Sequence, residues 1–250
     1  MPPAFPTDAS IVLDKARRMS GSGQKEVFHR HSGWWIPAIF FLAILSLSGL
    51  LLGWYLRPGL RSAAPTGQSH QLGVSVGGVF FTIPANYFES SGSGSTVKSV
   101  TLTALFPSWR GYSQANARLF AGNAPDSPVI RLSLRADSNG LDGRARLNRI
   151  YRPHIAGPKG KDGPFGLTRY DFSGGSGYQD YELFAGETAK GLELLLCERA
   201  TSQFPSPNCL ATDRPLAPNV SFSYRFKRAY LARWREISTG VETLIAKFRG

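Results

Sequence analysis

Hydrophobic positions along the chain fall into three regimes. There is one long unbroken run, then a series of two-residue alternations, then a stripe at helical spacing near the C-terminus. The run, Trp34 to Leu56, is 23 residues without a charge. A helix rises ~1.5 Å per residue, so it would cover roughly 34 Å, enough for a hydrocarbon core of ~30 Å. Trp34, Trp35, Trp54 and Tyr55 mark its ends, where amphipathic rings favour the headgroup level. Pro37 falls in the first turn, where a missing amide proton costs little. The run predicts one transmembrane helix. Its Gly49 and Gly53 form a G-x-x-x-G pair that would let a second copy approach closely, making them candidates for helix pairing into a homodimer.

The alternations begin near Leu72. Val74–Val76 and Val79–Ile83 flank Gly77-Gly78, a hairpin signal, and Pro84 ends the second strand. Val100 to Phe106 alternates with threonines, and Ser113 is placed to cap a short helix running to Phe120. Ile130, Leu132 and Leu134 alternate with Arg131, Ser133 and Arg135, which predicts a strand with one basic face. Asp142 to Tyr151 reads as a short helix, with Leu147, Ile150 and Tyr151 inward. Leu167–Phe172, Tyr181–Ala185 and Leu192–Cys197 read as strands, and Val220 to Phe226 is the clearest of all. The closing stripe is Tyr230, Trp234, Ile237, Val241, Leu244 and Phe248, a helix with one apolar side. Ser238 and Gly240 are expected to break it, with Thr239-x-x-Glu242 capping a second piece. The predicted class is α+β: a mainly antiparallel sheet of about seven strands, packed by two short helices and a long C-terminal one.

Punctuation divides the chain into a tail (1–32), the membrane helix (33–57), a linker rich in proline and glycine (58–71) and a folded domain (72–250). The tail's low hydrophobicity predicts disorder, apart from a possible short helix over Ser10–Met19. The run Ser90 to Ser95 predicts a mobile loop.

Charge supplies the orientation. Lys15, Arg17, Arg18, Lys25 and Arg30 precede the helix, and only Arg57 and Arg61 follow it before Lys98. The positive-inside bias then puts the N-terminus in the cytoplasm and the domain across the membrane, which for a bacterial inner membrane is the periplasm. The run exceeds the 7 to 15 residues of a signal-peptide core, and Pro65 follows the best small-residue site, Ser62-Ala63-Ala64. An uncleaved signal-anchor is the expectation. Residues 62–250 carry 22 basic and 14 acidic residues, a net charge of +8. Phospholipid headgroups, cell-wall polymers or an acidic protein suit such a surface, and the expected location argues against nucleic acid.

Cys197 and Cys209 both fall in the exported part, where an oxidising compartment lets them pair. A bridge closing so short a loop would contribute about 3 kcal/mol by the chain-entropy argument. No metal or cofactor is expected, because His154 is the one histidine well inside the domain and zinc needs about four ligands. No G-x-S-x-G, P-loop or H-E-x-x-H occurs. The remaining catalytic routes are His154 as a base, or a pair among Asp162, Asp171, Asp180, Glu182 and Glu187 in an envelope hydrolase. The stronger candidate is a cationic cluster for an anion or partner: Arg144, Arg146, Arg149, Arg152, Lys159 and Lys161, within 18 positions. A non-catalytic binding or accessory role is therefore the leading expectation.

Several phrases carry a resemblance. Ile83-Pro84-Ala85-Asn86-Tyr87, Ile150-Tyr151-Arg152-Pro153, Gly163-Pro164-Phe165-Gly166-Leu167-Thr168-Arg169-Tyr170, Ser206-Pro207-Asn208-Cys209 and Tyr224-Arg225-Phe226-Lys227-Arg228 together resemble a group of uncharacterised, membrane-anchored proteins of proteobacteria. That resemblance brings no activity. Phe81 to Pro84 and Leu244 to Phe248 are also similar to the opening F-x-I-P strand and closing L-I-x-x-F helix of the PsbP/Mog1-like α-β-α sandwich. Members of that fold mostly bind or assist other proteins, and the resemblance implies the same here.

Overall fold

The computed structural model describes residues 35–55, 65–90, 95–138, 140–157 and 159–250. The expected tail, the first half of the linker and the centre of the Ser90–Ser95 loop lie outside the described residues. The chain divides into two units, 1–58 and 59–250.

In the first unit, α1 is Trp35–Tyr55. Over Trp35–Gly53 it is long and apolar enough to cross a membrane by length and composition. Gly49 and Gly53 are one helical turn apart on it, and a Cβ built on either meets nothing within 4 Å.

In the second unit, β1 (Gln71–Val76) and β2 (Val79–Pro84) form the expected hairpin. Gly77 and Gly78 turn it with φ of 57° and 85°, values that a side chain resists. A short β3 (Thr96–Val97) runs parallel to β1 and completes a three-stranded sheet. The larger sheet holds eight strands, each antiparallel to its neighbours. They are β4 (Ser99–Leu105), β5 (Val129–Ala136), β6 (Lys161–Asp162), β7 (Thr168–Asp171), β8 (Tyr181–Thr188), β9 (Gly191–Glu198), β10 (Asn208–Ala217) and β11 (Val220–Lys227). Their order is β4-β5-β11-β10-β9-β8-β7-β6. The two sheets together hold eleven strands against about seven expected, and β3, β6 and β10 fall outside the segments that read as strands.

Of these, β10 matters most. Its sequence, NCLATDRPLA, does not alternate, because an extra residue is inserted opposite β11 between Ala211 and Arg214. Such a bulge turns consecutive side chains out of strict alternation. Cys209 sits on this strand directly across from Cys197 of β9, and the two sulfurs are bonded.

Ser113 and Asn116 form a reciprocal cap ahead of α2, Ala117–Ala121. Asp142 caps the single turn α3, Gly143–Arg146, by accepting from the Ala145 amide at 2.8 Å. The chain then widens into a π-helical segment, Leu147–Tyr151. The last helix, α4, is Trp234–Arg249 and runs unbroken through Ser238 and Gly240. The expected break fails for two local reasons. Ser238 turns its hydroxyl inward to Glu193 at 2.5 Å. Gly240 leaves room for the Trp109 indole, since a Cβ there would lie 2.0 Å from Trp109 Cζ2.

Two cores follow. In the main one, the α4 residues Trp234, Ile237, Val241, Leu244, Ile245 and Phe248 bury against the inner face of the large sheet and the β1–β2 hairpin. Phe81 and Ile83 of one quoted phrase and Leu244 and Phe248 of the other all belong to this core. The second core lies on the opposite face of β7–β9, where Leu147, Tyr151 and Ile155 cover Phe172, Leu183, Leu194 and Leu196. Both faces of β8 and β9 are thus buried, which is why their sequences read as nearly continuous apolar runs.

Candidate functional site

The 147–155 segment covers β7–β9, and its Tyr151 borders the outer face of β4, β5 and β11, where Arg131, Arg135 and Arg225 stay exposed. Register sets what that face displays. Thr101, Ser133 and Ser223 lie side by side across the three strands, as do Thr103, Arg131 and Arg225. Ser99, Arg135 and Ser221 form a third row. Thr103 and Ser221 are buried, and the other positions present hydroxyls interspersed with guanidinium groups. Arg131, Arg135 and Arg225 are all exposed. Arg131 pairs with Glu89 at 2.8 Å, and Thr101 and Ser133 place their hydroxyls 3.5 Å apart.

A basin of about 360 Å³ opens in this face. Its cations are Arg135 and Arg225 from the strands and Arg146 from the end of α3. The β10 bulge brings one acid, Asp213, which meets Arg135 at 2.5 Å and Arg146 at 3.9 Å. Three guanidiniums against one carboxylate leave the basin with an excess of two positive charges. Arg225 has no ion-pair partner among the described residues, and Arg146 Nε is buried without a hydrogen-bond partner. Ser99, Ser133, Ser223 and Thr212 add hydroxyls. The Tyr151 phenol completes the wall, with its pKa pushed up to about 12, first by burial and then by Tyr178. It therefore stays a hydrogen-bond donor at any physiological pH.

A second concavity of about 490 Å³ lies on the helix side, between α3, the β8–β9 turn, β10 and α4. It is larger, but three of its four cations are already paired, and the fourth, Arg249, stands exposed at the end of α4. Arg214 reaches Glu242 at 2.6 Å and Glu193 at 3.5 Å, Lys190 reaches Glu242 at 3.0 Å, and Arg144 reaches Glu187 at 2.6 Å. Glu193, fully buried, also accepts from Tyr224 and Ser238. Burial raises the Tyr224 pKa well above its ordinary value, and the Glu193 charge adds to the rise. This network ties α4 to the sheet.

The six cations of the 144–161 cluster do not converge. Arg146 enters the basin, while Arg144 lines the helix-side cleft. Arg149 and Lys159 are exposed, and Arg152 stands over the Tyr170 ring at 5.8 Å. Lys161 pairs with Asp171 at 2.9 Å. The two other basin arginines come from strands outside that cluster, Arg135 just before it and Arg225 far beyond it. Their only advance signal was the alternation of arginine with serine on β5 and β11.

The His154 ring packs 5.3 Å from that of Tyr178. Glu187 is held by Arg144, and Asp171 and Glu182 flank Arg169, at 3.3 and 3.7 Å. Arg228 and Arg199 also reach Glu182, at 2.5 and 3.8 Å. Asp162 and Asp180 are exposed. Among the described residues no group of three or more His, Cys, Asp or Glu is placed to hold a metal ion.

No family model matches the chain, and no curated protein matches it. Two solved structures do. One is Smlt3025, an immunity protein of the Stenotrophomonas maltophilia type IV secretion system. It aligns with a TM-score of 0.52 and 16% identity, over 72% of this chain and 94% of that one. The other is the Neisseria meningitidis iron-regulated outer membrane lipoprotein FrpD, with a TM-score of 0.42 and 12% identity, over 75% and 96% of the respective chains. The likeness to Smlt3025 is one of fold.

Proposed function

We propose that the chain is a non-catalytic, membrane-tethered binding protein of the bacterial cell envelope, holding an acidic protein on the open face of its large sheet. In this reading α1 is an uncleaved anchor with the N-terminus in the cytoplasm, and the folded unit works in the periplasm. The observation that carries the proposal is the row pattern on β4, β5 and β11, which keeps Arg131, Arg135 and Arg225 exposed on a polar face bordered by α2 and α3. Arginine forks in a field of hydroxyls suit carboxylates, and complementary charge gives orientation and fast association. The immunity protein that shares this fold makes a protein partner the preferred kind. The paired state of Asp171, Glu182 and Glu187 and the aromatic packing of His154 support a role without bond chemistry.

Photo-crosslinking in cells tests this. A benzoylphenylalanine at Thr101, on the open face, is expected to capture an acidic protein. The same group at Lys247, exposed on α4, is expected to capture none. Arg131→Glu with Arg225→Glu should abolish the Thr101 product. Lipid-only products at Thr101, or equal capture from both positions, would overturn the proposal.

A further inference from the structure

The basin is small, cationic and incompletely satisfied, and these three properties together define a ligand. Asp213 already occupies one side, held between Arg135 and Arg146. It shows what the arginines accept: a carboxylate, approached by two guanidiniums from different elements. The other side is vacant of charge partners. Arg225 points no ion pair at any described residue, and the buried Nε of Arg146 has nothing to donate to. A buried donor without an acceptor is an unfavourable state that an arriving anion relieves, so it favours the bound form. Ser133 and Ser223 stand next to each other between the two arginine rows and can donate to the same anion.

Size restricts the occupant. A space of about 360 Å³ is at the low end of small-ligand sites and admits a side chain rather than a folded segment. Strand geometry places further cations around it. Arg131 and Arg135 are four positions apart on β5, roughly 13 Å at 3.3 Å per residue. A partner segment lying along β5 would carry its other acids to them while one acid enters the basin.

We propose that the basin is the receptor for one carboxylate side chain of the partner, seated on Arg225 and Arg146 Nε beside Asp213. This rests on the reading of the open face as a protein-binding surface and names the contact that dominates it. Desolvated arginines at the centre of an interface are where binding energy concentrates, whereas rim charges such as Arg131 mainly steer.

The test uses the full-length protein in neutral detergent and a fluorescein-labelled deca-glutamate peptide, read by anisotropy. The peptide is expected to bind saturably. Arg225→Ala should weaken it at least tenfold, Arg225→Lys should recover only part of that loss, and Lys247→Ala should leave it unchanged. Arg225 is exposed, so its variants are expected to unfold at the wild-type temperature, which a thermal scan verifies. Equal weakening by Lys247→Ala would mean unspecific attraction and would overturn the proposal. So would inorganic phosphate, or vesicles containing phosphatidylglycerol, binding through Arg225 while the peptide does not. The two readings fail differently. If Thr101 crosslinks persist but Arg225→Ala leaves peptide binding intact, the carboxylate receptor falls and the protein-binding face stands. If the crosslinks are absent, the face itself falls.

Discussion

Glu193 has no exposure, yet Tyr224, Ser238 and Arg214 all reach it, and Arg214 continues to Glu242. A buried charge in such a chain is tolerated because its partners satisfy it, and removing one end strands the other. Glu193→Ala should therefore cost about 3–5 kcal/mol, the range for breaking a buried pair. Glu242→Ala, at the more accessible end, should cost about 1–2 kcal/mol, nearer the value of a charged hydrogen bond. Urea unfolding of the two variants checks the ordering. Gly240 offers a second case, since two effects of opposite sign compete there. Alanine gains about 1 kcal/mol of helix propensity over glycine. Its Cβ, however, would lie 2.0 Å from the Trp109 ring, and over-packing costs about 1–3 kcal/mol. Gly240→Ala is expected to destabilise the protein, and to become stabilising on a Trp109→Ala background.

At the level of elements, strands with clean alternation, such as β5 and β11, were legible from the sequence. Their hydrophobic period needed no partner to be read. β10 was not legible, because its bulge breaks the period and Pro215 reads as a terminator. Only the flanking β9 and β11 make it a strand. The same holds for the basin. The sequence showed a dense run of cations from Arg144 to Lys161, but sheet register, which sequence spacing does not encode, set Arg135 and Arg225 on one face, and the packing of α3 added Arg146 alone of that run. The β6–β7 edge provides a pH-dependent element. The Lys161 ammonium, hydrogen-bonded to Asp171, holds its carboxyl below the ordinary 3.8, with Arg169 adding to the effect. A lowered folded-state value means that the contribution is complete above pH 3.8 and lost as the pH falls toward that lower value. Amide protection along Thr168–Asp171, relative to the intrinsic exchange rate, should fall below that pH, and Asp171→Asn should show the lower protection above it, with the two proteins converging as Asp171 is protonated.

For the whole molecule, compartment and fold constrain each other through the sulfur pair. Cys197 and Cys209 are both fully buried and lie opposite one another on β9 and β10, so their bond staples the unalternating strand to its neighbour. Such a bond persists in an oxidising compartment and is lost in a reducing one. If the chain is oriented with residues 62–250 outside the cytoplasm, thiols of protein taken from intact cells should resist alkylation without a reductant. A variant in which Lys15, Arg17, Arg18, Lys25 and Arg30 become glutamine loses the charge bias that sets orientation. A fraction of its domains should then face the cytoplasm with both cysteines alkylated. That reduced fraction should also be less stable by about 3 kcal/mol, the chain-entropy value for a short bridged loop, and so more readily proteolysed. Cys197→Ser with Cys209→Ser in the unaltered orientation should show the same loss by urea unfolding. This separates the effect of the bond from that of the compartment. Free thiols in the wild-type protein from intact cells would place the domain on the reducing side and remove the periplasmic assignment with it.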